Sequence, residues 1–355
     1  MAIPTEPIGS IPRPPELFAW MQRAAEGGIS EAELDALFDQ AVRSTVSEFE
    51  ATGSPVITDG EQRKPSFATY PVAGLETLAG DGVVIPFADG HTRQLPVLTG
   101  GPFRYRTHAA SYLVAAQEVA TRPLKQAVIS ASALSLLYPA EGIDGYSQEA
   151  FLDDLVDEAE ADIRGCLDAG AHTVQIDFTE ARLSLKLDPS GGLLRSFVDL
   201  NNRVLDRFTA EERGRRIGVH SCPGGDHDST HSADVDYAQL LPLLFELHAG
   251  AFYLELAGET DPEAVLEAVA ANLRPEQRAF VGVTDPINPE VETAEQVRDR
   301  VLLAAKHIPV AQLGTTDDCG FSPFADDDST ARETAFAKIR ARIQGTELAA
   351  ERLGA

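Results

Sequence analysis

The stretch HTVQIDF, residues 172–178, reads as a strand that is apolar along most of its length. Strands of this kind belong to parallel sheets with helices on both faces. The segment before it, SQEAFLDDLVDEAEADIRGCLDAGA, has helical periodicity. It starts at the cap residue Ser147, ends near Gly170, and turns Phe151, Leu155 and Cys166 to one face. Working outward from this pair, strand-like segments are expected at Thr5–Ile11, Pro55–Asp59, Gln126–Ala131, His172–Phe178, Arg216–Cys222, Ala251–Leu256, Ala279–Thr284 and Val310–Gly314. Amphipathic segments lie between them. Ser30 with Glu33, and Thr293 with Gln296, have the spacing of capping boxes, and Gly53 closes the first of these helices. Eight β-then-α units predict an α/β fold, a single (β/α)8 TIM barrel over residues 1–355. One stretch breaks the rhythm. Between about Pro65 and Arg106, VVIPFADGHTRQLPVL carries two strand-like runs around Asp89-Gly90, a β-hairpin insertion after the second strand. A C-terminal helix is expected from about Ser329 to Leu353.

Composition sets the bounds. Apolar residues make up 43% of the 355, enough for a large core. No run of about 18 apolar residues is present, so no membrane span is expected. The opening MAIPTEPIGSIPRPPE has neither the basic nor the apolar region of a signal peptide, and three cysteines suit a reducing cytoplasm. A formal net charge of −27 argues against nucleic acid or an anionic membrane as partner.

Polar residues gather at one end of the expected strands. Ser10 follows the first, Asp59 and Glu61 the second, Asp177 and Glu180 the fourth. His220 and Cys222 follow the fifth, Glu255 the sixth, Asp285 the seventh and Cys319 the eighth. In a TIM barrel that end carries the active site. His220 and Cys222 are two residues apart, so on an extended strand they share a face. Imidazole and thiolate are donors that zinc prefers. The alternative is a core histidine with inert thiols, and Cys166 reads as a core residue. Asp177 could cap the following helix, and Glu61 could pair with Arg63 or Lys64.

IGSIPRP (8–14), DGEQRKPSF (59–67), VQIDFTEA (174–181), the H-x-C at 220–222 and the D-C-G at 318–320 together resemble the catalytic domain of cobalamin-independent methionine synthase. The segment HSCPGGDHDSTHSADVDYAQLLP (220–242) resembles its short single-barrel relatives, among them epoxyalkane:coenzyme M transferases. The resemblance implies Zn²⁺ held by His220, Cys222, Cys319 and Glu255, with Glu259 the nearest substitute for the last. It implies homocysteine held by Ser10 at its carboxylate and by Glu61 and Asp177 at its ammonium. Zinc would keep the substrate thiol as a nucleophilic thiolate.

Three departures bear on the methyl donor. The long family's N-terminal barrel has no counterpart in these residues. Its tryptophan after the third strand is replaced by ISASALSLLYP (129–139), where Tyr138 is the aromatic candidate; the sole tryptophan is Trp20. Its proton-shuttling histidine is replaced by GVTDPINP (282–289), which offers Asp285 and Asn288. Folate leaving groups need a proton, so these losses argue against folate, whereas a methylcorrinoid protein would need no acid. His227, His231 and Asp285 are the candidate acids. The expected reaction is methyl transfer to homocysteine. Epoxide opening by coenzyme M is the enzyme alternative and would call for inward cations such as Arg63, Lys64 or Arg13. A zinc-binding carrier is the non-enzyme alternative.

Overall fold

The computed structural model describes residues 3–355. Six parallel strands run side by side in chain order: Gln126–Ile129, Val174–Asp177, Ile217–Ser221, Ala251–Leu254, Arg278–Gly282 and Leu313–Thr316. They are the third to eighth strands of the barrel. The first two expected strands are reduced to single parallel bridges, Thr5 to Thr315 and Ile57 to Leu124. The reason lies in the sequence. Pro7 removes a backbone donor from the middle of the Thr5–Ile11 segment, and Pro12 ends it. The ring is completed between these two positions by Ile11 N–H donating to Gly60 O (3.0 Å) and the Thr58 hydroxyl to Gly9 O (2.7 Å).

The eighth strand is also displaced from its expected place. Val310–Gln312 forms a 3₁₀ turn after Pro309, and the strand begins at Leu313. Gln312 is spent on the neighbouring loop, where its amide donates to Arg274 O and Gln277 O.

The expected caps are present. Ser30 and Thr293 close capping boxes on helices Glu31–Ala51 and Ala294–Ala304, and Ser147 caps Gln148–Asp168. The main core lies between barrel and helices, with Phe49, Leu155, Cys166, Leu240 and Val301 fully buried in it. Cys166 is thus a core residue. Inside the barrel, Ile8, Tyr253 and Phe280 form a smaller cluster. The helix Arg332–Leu353 packs chiefly on Ala294–Ala304.

The expected insertion is a hairpin, Val84–Pro86 paired antiparallel with Thr92–Gln94 around Asp89-Gly90. It folds over the C-terminal end of the barrel. Ala88 N–H donates to Thr230 O (2.9 Å), and Arg93 reaches Asp226 and Asp326. Among the described residues no helix is long and apolar enough to cross a membrane.

Candidate active and metal site

Strand register places the first site residues. Asp177 pairs with His220, His220 with Tyr253, and Tyr253 with Phe280, so these four form one belt inside the barrel. Asp177 and His220 are at the upper edge of a cavity of about 890 Å³, which Ser10, Glu61, Glu180, His231 and Cys319 also line. The hairpin residues Ile85, Phe87 and Arg93 cover it.

On one side of the cavity the ligand atoms of His220, Cys222 and Cys319 lie within 4.8 Å of one another, all three residues buried. The two sulfurs are 3.2 Å apart. His220 Nδ1 sits 3.2 Å from Tyr253 O, which fixes the ring, while its Nε2 is buried with no hydrogen-bond partner. That is the arrangement of a metal-ligating histidine, with the outer nitrogen anchored to a carbonyl and the inner lone pair free. The Cys222 S–H directed at Cys319 holds the Cys319 thiol well below its usual range, and His220 adds to the effect. The donor set therefore fits zinc.

Glu255 is buried nearby but is not in this cluster. Its Oε2 accepts from Arg182 (2.7 Å), and the same Arg182 nitrogen reaches Glu259 Oε1 (2.6 Å). Asp318 ties the Glu255 loop to the Cys319 loop by accepting from the N–H groups of Leu256, Ala257 and Gly258.

The other side of the cavity is acidic. Glu61 adopts a left-handed backbone (φ 57°), supported by Asp59, whose Oδ1 accepts from Glu61 N–H (2.9 Å). Glu61 Oε1 is 3.0 Å from Lys64 Nζ, so the pairing with Lys64 is realised, whereas Arg63 turns outward to Asp35 and Asp39. Burial pushes the Asp177 carboxyl up to about 6; Glu61 acts in the same direction, and His220 and Lys64 oppose it. Ser10 Oγ accepts from Ser322 N–H (3.2 Å). Gly320 makes this approach possible, because any side chain there would strike Ser10 Oγ. Arg13 is buried, with its guanidinium donating to the carbonyls of Glu61, Gln62, Lys64 and Phe324.

The three expected acids fare differently. Asp285 does not line the cavity; it accepts from Ile287 N–H (2.9 Å) in a local turn, while its own N–H donates to Glu292. His227 is also off the cavity. With Asp228 it forms the two-residue tip of a small hairpin, Gly225–Asp226 paired with Ser229–Thr230. Both tip residues have positive φ, as such turns require. His231 does line the cavity, but burial lowers its pKa to about 4, so the ring is neutral near pH 7. Tyr138 bonds Tyr146 O and stacks on Phe151 away from the cavity.

Glu180 is among the polar residues expected at the rim after the fourth strand, with no role assigned to it there, and it opens helix Glu180–Leu187. In the structure it lines the cavity and is buried. Its Oε1 accepts from the hydroxyls of Ser130 (2.6 Å) and Ser132, and its Oε2 has no partner.

Residues 3–335 match the model of the cobalamin-independent synthase catalytic domain. The chain belongs to that family. A 5-methyltetrahydropteroyltriglutamate–homocysteine methyltransferase from Synechococcus sp. (strain JA-2-3B'a(2-13)) is 23% identical over 90% of this chain, which spans 40% of that enzyme's length. A methionine synthase from Sulfurisphaera tokodaii is also 23% identical, with 99% of this chain and 94% of the relative covered. Among solved structures, a B12-independent methionine synthase from Shewanella sp. W3-18-1 in complex with selenomethionine matches with a TM-score of 0.76. It is 18% identical, and 99% of both chains is covered. A putative vitamin-B12 independent methionine synthase from Listeria monocytogenes gives 0.72 at 22% identity over 98% of each chain. These structures share the barrel fold.

Proposed function

We propose that this chain is a zinc-dependent thiol methyltransferase that converts homocysteine to methionine. The observation that carries the reading is the shared cavity, with a soft-donor cluster on one wall and the acidic pair Glu61 and Asp177 on the other. The family and the names of relatives covered over nearly their whole length support the same activity.

His220, Cys222 and Cys319 would hold the zinc, and Glu255, once released from Arg182, would be the fourth ligand. Zinc bound there supplies a substrate thiol acidified to its thiolate at neutral pH. Asp177 and Glu61 bind the α-ammonium, and Ser10 faces the α-carboxylate. Lys64 neutralises part of the Glu61 charge, which leaves Asp177 the stronger partner for the amine. The hairpin residues Ile85, Phe87 and Arg93 form part of the cavity wall. A coenzyme M sulfonate would want a free inward cation. Arg63 points outward, Lys64 is paired, and Arg13 is spent on carbonyls.

The test is elemental analysis of the purified chain followed by mass spectrometry of products from homocysteine and from coenzyme M, each offered several alkyl donors. About one zinc per chain and methionine as product are expected. A metal-free active protein, or coenzyme M as the better thiol, would overturn the reading.

A further inference from the structure

The cavity is much larger than homocysteine requires, so the reacting part of the donor also enters it. A methyl group carried on nitrogen leaves behind an electron pair that must be protonated. The three acids expected from sequence do not serve this need: Asp285 and His227 lie off the cavity, and His231 is neutral.

Glu180 has the geometry that they lack. It sits one turn beyond Asp177, at the start of helix Glu180–Leu187, and faces the cavity. Ser130 and Ser132, from the loop after the third strand, both donate to Oε1. Ser132 is fixed in turn by Asn201, whose amide donates to its hydroxyl (2.7 Å) and accepts from its N–H (3.2 Å). Oε1 is therefore saturated by donors. Oε2 is left buried and bare, the position where a carboxyl proton would be carried. Burial favours the neutral acid, while Ser130 and Ser132 of the third-strand loop, the latter held by Asn201 of helix Gly192–Leu205, oppose it by donating to the carboxylate. The fourth strand presents the anion Asp177. Arg182, on the same helix as Glu180, is directed to Glu255 and Glu259. Burial raises the Glu180 carboxyl to about 7, with Asp177 acting in the same direction.

We infer that Glu180 is the general acid of the transfer, protonating the nitrogen that the methyl group leaves. This rests on the methyltransferase reading above. In the step, the thiolate sulfur forms the S–CH₃ bond and the N–CH₃ bond breaks with its electron pair going to nitrogen. The nitrogen takes the proton from Glu180 Oε2, and the resulting carboxylate is reprotonated from solvent.

The test compares two donors with homocysteine and the zinc-loaded enzyme. One is 5-methyltetrahydropteroyltriglutamate, whose leaving nitrogen needs a proton. The other is trimethylsulfonium, whose leaving group departs as neutral dimethyl sulfide. Glu180→Gln keeps the size and the serine contacts. It is expected to lower kcat with the N-methyl donor by about a hundredfold or more and to abolish the fall of kcat at high pH. With the sulfonium the loss should stay within a few-fold. Ser132→Ala, which removes a donor to the carboxylate form, should move that fall to higher pH. Independently of turnover, the wild type near pH 6 should show an infrared carboxylic-acid band that Glu180→Gln lacks. Equal effects on both donors, or a missing band, would overturn the inference. A wild type that uses the sulfonium but not the N-methyl donor overturns it too, while leaving the methyltransferase reading intact. No methylation of homocysteine by either donor sinks both.

Discussion

Two buried polar clusters occupy the barrel, one below the strands and one above, and they are built on different terms. At the N-terminal side opposite charges meet. Lys125 lies 3.6 Å from Glu6, donates to Pro7 O (2.7 Å) and covers the Tyr253 ring, whose hydroxyl donates to Glu6 Oε2 (2.6 Å). Arg342 from the C-terminal helix donates to Glu6 O and pairs at 2.9 Å with Asp317, just past the end of the eighth strand, while its Nε and Nη2 have no partner. At the C-terminal side the carboxyls Asp59, Glu61, Asp177 and Glu180 outnumber the buried cations Lys64 and Arg13, and polar atoms stay unpartnered: His220 Nε2, Asp59 Oδ2 and Glu180 Oε2. Burial disfavours the charged form at both ends, lowering Lys125 to about 7 and Arg13 to about 10 and raising Glu180 to about 7. A cluster whose charges pair holds the fold. One with surplus carboxylates has chemistry left for a ligand's cation, a metal or a proton.

The strongest way to break this contrast is at the thiols. Cys222→Ala or Cys319→Ala should remove the zinc and all detectable methyl transfer, while the metal-free variants unfold in urea near the midpoint of the metal-free parent. Cys166→Ala should leave zinc content unchanged, since that thiol packs in the outer core. Full zinc occupancy in a Cys222→Ala, Cys319→Ala double variant would remove the site.

Next in size is the amine contact. A buried carboxylate and its ammonium partner lose about 3–5 kcal/mol when one member is removed. Asp177→Asn should therefore weaken homocysteine use at least a hundredfold in kcat/KM and spare a thiol that lacks an amine. Unchanged homocysteine kinetics would mean that Asp177 serves the fold, as its counterparts below the sheet do. The matching change at the floor is Lys125→Met, which strands Glu6 without its cation. Stability should fall by about 3–5 kcal/mol in denaturant titration, with zinc content and the KM for homocysteine preserved. A loss confined to KM would reverse the roles assigned to the two ends.

The two ends differ in how legible they are in sequence, for physical reasons. Rim residues carry a local signature: an apolar strand ends and a reactive side chain follows, as in VQIDF before Thr179 and Glu180 or IGVHSC at 217–222. The capping boxes at Ser30 and Thr293 are equally plain, because their partners are three residues apart. The closure of the barrel is not. At Thr5 and Ile57 the ladder shrinks to single bridges, and closure comes from bonds between distant segments such as Ile11 N–H to Gly60 O and the Thr58 hydroxyl to Gly9 O. Asp285 falls outside the cavity because position after the seventh strand fixes only the rim, not which way a side chain turns. Its carboxylate is captured by Ile287 N–H two residues on. Glu255 is expected as a ligand, yet Arg182, 73 positions away in the chain, holds its carboxylate. Glu180 is visible as a residue but not as an acid, because its character depends on burial and on how its oxygens are partnered, and Ser130 and Ser132 are 50 and 48 positions away.

The smallest expected effect is the one that isolates Glu180 from all chemistry. Its carboxyl is raised from an ordinary 4.5 to about 7 in the folded chain. Below about pH 4.5 the group is protonated in both folded and unfolded chains and costs nothing. As pH rises, the unfolded chain releases the proton first, so the folded state loses stability between about 4.5 and 7 and then levels off. A tenfold difference in proton affinity corresponds to about 1.4 kcal/mol, so the full loss is about 3 kcal/mol. Glu180→Gln has no charge to bury, so it should match the wild type at pH 4 and exceed it by up to about 3 kcal/mol at pH 8. Denaturant titration of the metal-free protein at both pH values measures this without substrate or turnover. A gain of the same size at both would show that glutamine simply packs better. No gain at pH 8 would mean that the carboxylate is already accommodated where it is buried.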